Sequence, residues 1–119
     1  QHYQISLTLN REKPETIYKK EDLAKAADKA QKYQTDASFA IGFVNDNLVS
    51  ISARSKGDID VGDIMEEFTG GGNTRSAACK IPSTDILSIE ERLKSVLDAK
   101  LNNTDQQVMP EKQYVKVKE

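Results

Sequence analysis

A chain of 119 residues, 30% charged and 37% hydrophobic, makes one domain and leaves no room for a second. Its formal charge of -2, from 17 basic and 19 acidic residues, excludes capture of nucleic acid or an anionic membrane by bulk positive charge. No apolar run approaches the ~20 residues needed to cross a bilayer. The N-terminus lacks the basic start and apolar stretch of a signal peptide. Gln1 in place of Met is read as the cut end of a longer chain. The single cysteine, Cys79, excludes an internal disulfide and fits a reducing compartment. With His2 the only histidine, zinc cannot be held by this chain's His and Cys alone.

In chain order, Tyr3, Ile5, Leu7 and Leu9 alternate with Gln4, Ser6 and Thr8, the period of a half-buried strand. The polar stretch 10–20 is a connection. Leu23, Ala26, Ala27, Ala30 and Tyr33 recur at helical spacing and predict an amphipathic helix over 21–33. A hairpin follows. Its first strand, 37–44, places Phe39, Ile41 and Phe43 on one face, and Asn45-Asp46-Asn47 turns the chain. In the return strand, 48–55, Val49, Ile51 and Ala53 take one face, while Ser50, Ser52 and Arg54 share a polar one. Asp60 caps a helix carrying Val61, Ile64, Met65 and Phe68, and Gly70-Gly71-Gly72 ends it. A short strand, 77–81, closes at Pro82. Ser88, with Glu91 three residues on, starts the last helix, whose buried stripe is Ile89, Leu93, Val96, Leu97 and Leu101. The order β-α-β-β-α-β-α gives an α/β domain over 1–101, a small mixed sheet with helices packed on it. Residues 102–119 are read as a polar tail, with a hint of extended structure at 114–118. His2 is expected to fray.

The strongest local signal for chemistry is Gly70-Gly71-Gly72-Asn73. One glycine would serve as a helix cap; three in a row let several backbone N–H groups approach an anion. A plain turn is the alternative. The loop follows a helix and lacks Gly-Lys-Ser/Thr, so it is neither a dinucleotide fingerprint nor a Walker loop. Arg54, at a strand end beside Ser52 and Ser55, can grip a phosphate or carboxylate with two N–H groups. Taken alone it reads as a solvated strand residue. Together with the glycine loop on the same side it would form a phosphate-binding corner, to which Arg75 can add a second cation. Asp58, Asp60 and Asp63 lack the spacing of a calcium loop and read as a turn and a helix start. Glu66-Glu67 and Glu90-Glu91 read as solvated helix faces. Cys79, among Ala77, Ala78 and Ile81, reads as a small buried hydrophobe.

Val49-Ser50-Ile51-Ser52-Ala53-Arg54-Ser55 is followed by Gly57-Asp58-Ile59-Asp60-Val61, Ile64-Met65 and Phe68-Thr69-Gly70-Gly71-Gly72-Asn73, with Ala77-Ala78 four residues on. This order resembles the DHH-associated domain of DHH-family phosphoesterases. It is most similar to the bacterial membrane-tethered cyclic-di-AMP phosphodiesterases, and residues 18–27 also fit that branch. The resemblance implies a two-lobed enzyme of which this chain is the smaller, substrate-holding lobe. The absent DHH lobe of the same polypeptide would carry two manganese ions; this chain would carry no cofactor and no catalytic residue. Ser52, Arg54 and Ser55 would contact phosphate or base, and the amides of Gly70, Gly71 and Gly72 would cradle a phosphate. The ligand would be a cyclic or linear dinucleotide. The parent would be a hydrolase anchored to the membrane, with this lobe cytoplasmic and out of contact with the bilayer. The family's loop His is Asn73 here, which donates only as a neutral amide; Arg75 is the candidate to offset the lost cation. The parent is then a weakened enzyme or a sensor that binds without cutting. A second reading is a non-catalytic nucleic-acid or interaction module, like the related C-terminal domain of alanine-tRNA synthetases. The absence of a basic stripe weighs against it.

Overall fold

A computed structural model describes residues 3–9, 19–32, 35–101 and 104–110. The elements run β1 (Tyr3–Leu9), α1 (Lys20–Gln31), β2 (Ala37–Asn45), β3 (Leu48–Ser55), α2 (Val61–Glu66), β4 (Gly71–Gly72), β5 (Ser76–Pro82), α3 (Ile86–Leu101) and β6 (Thr104–Pro110). The strands form one mixed sheet in the order β4-β5-β3-β2-β1-β6. The β2–β3 hairpin lies at its centre, its turn closed by the Asn45 side-chain oxygen accepting from the Asn47 N–H at 3.0 Å. β1 runs parallel to β2, and α1 provides the crossover that a parallel pair requires.

Side-chain alternation divides the sheet into two unequal faces. Phe39, Ile41, Phe43, Val49, Ile51 and Ala53 point to one face and pack with Ile64, Met65, Ile89, Leu93 and Leu97 of α2 and α3. That face is the main core. The opposite face is lined by small residues and covered by α1, whose Leu23, Ala26, Ala27 and Ala30 pack on Ala40. The expected polar face of β3 therefore lies under a helix: Ser50 and Ser52 are buried. Small serines suit this position because they let an alanine-rich helix come close. The Ser38 hydroxyl donates to the Ala27 carbonyl at 2.6 Å across that contact.

The expected elements are all present, with differences at their ends. α1 runs Lys20–Gln31, held at its start by the Asp22 carboxylate accepting from the Lys19 N–H at 3.0 Å. α3 begins at Ile86, two residues before the expected Ser88, because Asp85 provides the cap. Its carboxylate accepts from the Ser88 N–H at 3.1 Å, so Ser88 already lies inside the first turn. The stretch read as a tail from residue 102 contributes β6, which pairs in parallel with β1 from Tyr3↔Thr104 to Leu9↔Pro110. β4 is a further addition, two residues at the opposite edge. The connection over 10–18, His2, Tyr33 and the hint at 114–118 lie outside the described residues.

Cys79 lies in the core at 4% exposure, and burial pushes its thiol from 9.0 up to about 12. Because the folded value is raised, this group's contribution to stability is complete below about pH 9. It is lost as pH climbs from there toward 12, where only the unfolded chain ionises at first. The thiol is therefore expected to stay unreacted with a disulfide reagent at mildly alkaline pH and to react at once in denaturant. Fast labelling of the folded chain would contradict this placement.

Candidate functional site

The end of α2 brings the glycines to the sheet edge. The chain turns directly after Phe68, whose ring is buried. Thr69 takes the left-handed backbone position (φ 60°), and the Gly70 N–H returns to the Met65 carbonyl at 2.9 Å. The helix is thus closed by Thr69, before the glycines that were expected to end it. A β-branched residue in this conformation costs about 1–2 kcal/mol. The capping position consequently makes no demand on the glycine run.

The three glycines serve different constraints. A Cβ on Gly70 would overlap the Ala78 carbonyl oxygen and the Cys79 side chain. On Gly72 (φ 147°) it would stand 2.5 Å from Ala77 Cα and the Ser76 carbonyl oxygen. Packing alone requires both. A Cβ on Gly71 would meet nothing within 4 Å. Fold geometry leaves this middle glycine without a reason, and open space stands where its side chain would be.

Register shows which way that space opens. Gly71 pairs with Ala78, and Ala78 with Ser52. Cross-strand partners share a face, so all three belong to the face that α1 covers. Arg54 and its partner Ser76 occupy the next row of the same face. α1 packs chiefly over β1, β2 and β3. Beyond it lies an uncovered ledge floored by Ser76, Ala78 and Gly71, with Ser76 and Gly71 exposed. Gly71 and Ser52 are two strand spacings apart, about 10 Å.

At the inner side of the ledge, Arg54 is fixed by two hydrogen bonds. Its Nε donates to Asp28 Oδ1 of α1 at 2.8 Å, and its Nη1 donates to the Ala53 carbonyl at 2.9 Å. The side chain is 21% exposed and that of Asp28 59% exposed. A guanidinium has five N–H donors, so three remain on the two terminal nitrogens.

The other expected contacts lie in different settings. Ser52 is buried under α1. The Ser55 hydroxyl is turned inward, 2.7 Å from the Ile59 carbonyl and 3.0 Å from the Thr74 carbonyl, and it accepts from the Gly57 N–H at 3.1 Å. It braces the two loops behind the ledge. The Asn73 side-chain oxygen accepts from the N–H groups of Arg75 and Ser76, each at 2.9 Å, and so closes the turn into β5. That pairing directs its NH2 group away from the turn. Arg75 lies against Gly57: its Nη2 is 3.0 Å from where a Cβ of Gly57 would stand, at a backbone φ of 120°. Gly57 suits both its own turn and the guanidinium above it.

On the other side of the glycine loop, Asp60, Gly62, Asp63, Glu66, Gly72, Asn73 and Thr74 line a shallow depression of about 270 Å³. Its three carboxylates repel an anion. Lys100 partly answers them, 2.9 Å from Asp63, and that hydrogen bond raises the lysine's pKa. Among the described residues no group of three His, Cys, Asp or Glu side chains is placed to hold a metal.

Thus the structure puts Arg54 and Gly71 on one face, while at Gly70 and Gly72 the place of a Cβ is blocked by β5. Sequence reasoning missed Asp28, 26 residues from Arg54, for which no local pattern exists. It also missed that Ser76 and Ala78 form the floor. The alternation Ser76, Ala78 opposite Ala77, Cys79 was the available signal.

The family of DHHA1 domains matches residues 4–103, and the chain belongs to it. Over 76 residues it is 41% identical to a membrane protein–large ribosomal subunit bL9 fusion protein of Aster yellows witches'-broom phytoplasma, covering 63% of this chain and 9% of that protein. Over 63 residues it is 44% identical to the cyclic-di-AMP phosphodiesterase PdeA of Listeria monocytogenes, covering 53% of this chain and 10% of PdeA. Over 77 residues it is 38% identical to the cyclic-di-AMP phosphodiesterase GdpP of Bacillus subtilis, covering 64% of this chain and 12% of GdpP. The chain spans about a tenth of the length of these relatives. No helix among the described residues is long and apolar enough to cross a membrane.

Proposed function

We propose that this chain is the nucleotide-holding lobe of a DHH-type phosphodiesterase acting on cyclic-di-AMP or a short linear oligonucleotide. The observation that carries the reading is the vacancy at Gly71, which no contact of the fold explains, on the same face as Arg54. A backbone without a side chain lets a phosphate approach its amides closely, and a guanidinium fork matches phosphate oxygens. The free donors of Arg54 and the Gly71 backbone hold the ligand, and Asn73 and Arg75 stand at the turn that leads from the loop into β5. Ser55 contributes from behind by bracing the loops that carry these groups, and Ser52 lies buried beneath α1. The kinship to PdeA and GdpP supports the ligand class. Manganese and the attacking water belong, on this reading, to a separate lobe of the same polypeptide. That polypeptide would be anchored to the membrane, with this lobe on the cytoplasmic side.

The test is an amide NMR titration of the chain with cyclic-di-AMP, linear diadenylate and AMP in parallel. Saturable shifts are expected at Arg54, Gly71 and Asn73, with the ligand order giving the preferred class. Gly71→Ala is expected to fold and melt as the parent does, since nothing stands in the way of the methyl group. It should weaken binding about tenfold or more by holding the phosphate off the backbone, a loss of one charge-assisted hydrogen bond. Unchanged affinity in Gly71→Ala would remove the central support.

A further inference from the structure

We propose that Asp28 is a positioning residue that pre-orients Arg54 for its anionic ligand; this rests on the reading of the ledge as the binding site. Asp28 projects from α1 and takes the Arg54 Nε at 2.8 Å, while the Ala53 carbonyl takes Nη1 at 2.9 Å. The two contacts approach the guanidinium from different sides and leave three N–H groups on the terminal nitrogens. Those terminal donors are the ones a phosphate uses in a forked contact. Asp28 therefore holds the arginine without occupying its outer edge. A free arginine gives up rotamer freedom when it grips a ligand, and one already held gives up less. Since Asp28 is 59% exposed, its Coulomb attraction for Arg54 is screened by water. Its effect is thus on orientation more than on the charge offered to the ligand.

The alternative role for such a carboxylate is competitor, and the two roles predict opposite signs. Under pre-orientation, Asp28→Ala weakens cyclic-di-AMP binding about 3- to 10-fold, the equivalent of freeing one long side chain. Asp28→Asn keeps an acceptor for Nε and restores most of that loss. Adenosine, which has no phosphate, binds Asp28→Ala and the parent alike. A slowly exchanging Arg54 Nε–H signal is expected in the parent and in Asp28→Asn, and not in Asp28→Ala. A merely structural role for Asp28 would not produce this pattern. Tighter or unchanged cyclic-di-AMP binding in Asp28→Ala, with Arg54→Ala still losing it, overturns the inference and leaves the site intact. Unchanged binding in Arg54→Ala, or no saturable binding to the parent chain, overturns the site reading and this inference with it.

Discussion

Gly70→Ala is expected to cost about 3 kcal/mol or more of folding stability, at the upper end of what overpacking does. The added methyl would overlap backbone and Cβ atoms of Ala78 and Cys79, with Cys79 Cα at 2.7 Å. These atoms belong to β5, which is bonded to β3 along its whole length and cannot retreat. Gly70 cannot move the other way either, because its N–H is tied to Met65 at the end of α2. In a domain of this size the drop corresponds to roughly 10 °C or more in the melting temperature. Thermal unfolding of Gly70→Ala beside Gly71→Ala measures it. The two variants add the same atom one residue apart, so a similar melting point for both would refute the opposed orientations assigned to these residues.

The second large effect is at Ser55. Ser55→Ala is expected to lose about 2 kcal/mol, because one hydroxyl serves Ile59, Thr74 and Gly57 inside the fold. Its removal strands the Ile59 carbonyl and the Gly57 N–H in a region where Ser55 itself is 7% exposed, while the Thr74 carbonyl keeps the Val61 N–H. Urea denaturation gives the size of the loss. Ser55→Thr, which restores a hydroxyl, separates the hydrogen bonds from the serine's small volume. Retention of full stability in Ser55→Ala would mean that water replaces the hydroxyl, and Ser55 would then be open to solvent after all.

The sheet was legible where alternation was strong. β3 has the expected bounds because Val49, Ile51 and Ala53 and the serines between them form a full period of two. The fate of the second face was not legible. Serines at Ser50 and Ser52 look like a wet surface, and only the alanines of α1 explain why they are dry. The start of α3 was displaced because Ser88-x-x-Glu91 imitates a cap, while Asp85, next to Ile86, supplies the real one. β6 carries a polar sequence and was invisible to hydrophobic patterning; it is held by backbone pairing with β1. At the candidate site, the glycine run and Arg54 were readable as types of residue. Their division of labour was not, since it depends on the register of β4 and β5. The Arg54–Asp28 pair joins distant parts of the chain and could come only from the structure.

β4 is two residues long and lies at the outer edge of the sheet. A long bare edge would offer a row of amides and carbonyls to any extended peptide, inviting one molecule to zip onto the next. Two glycines ending in a tight turn give such a peptide no purchase beyond a pair of bonds. The brevity of this strand therefore removes the template on which a second chain would extend the sheet at this end.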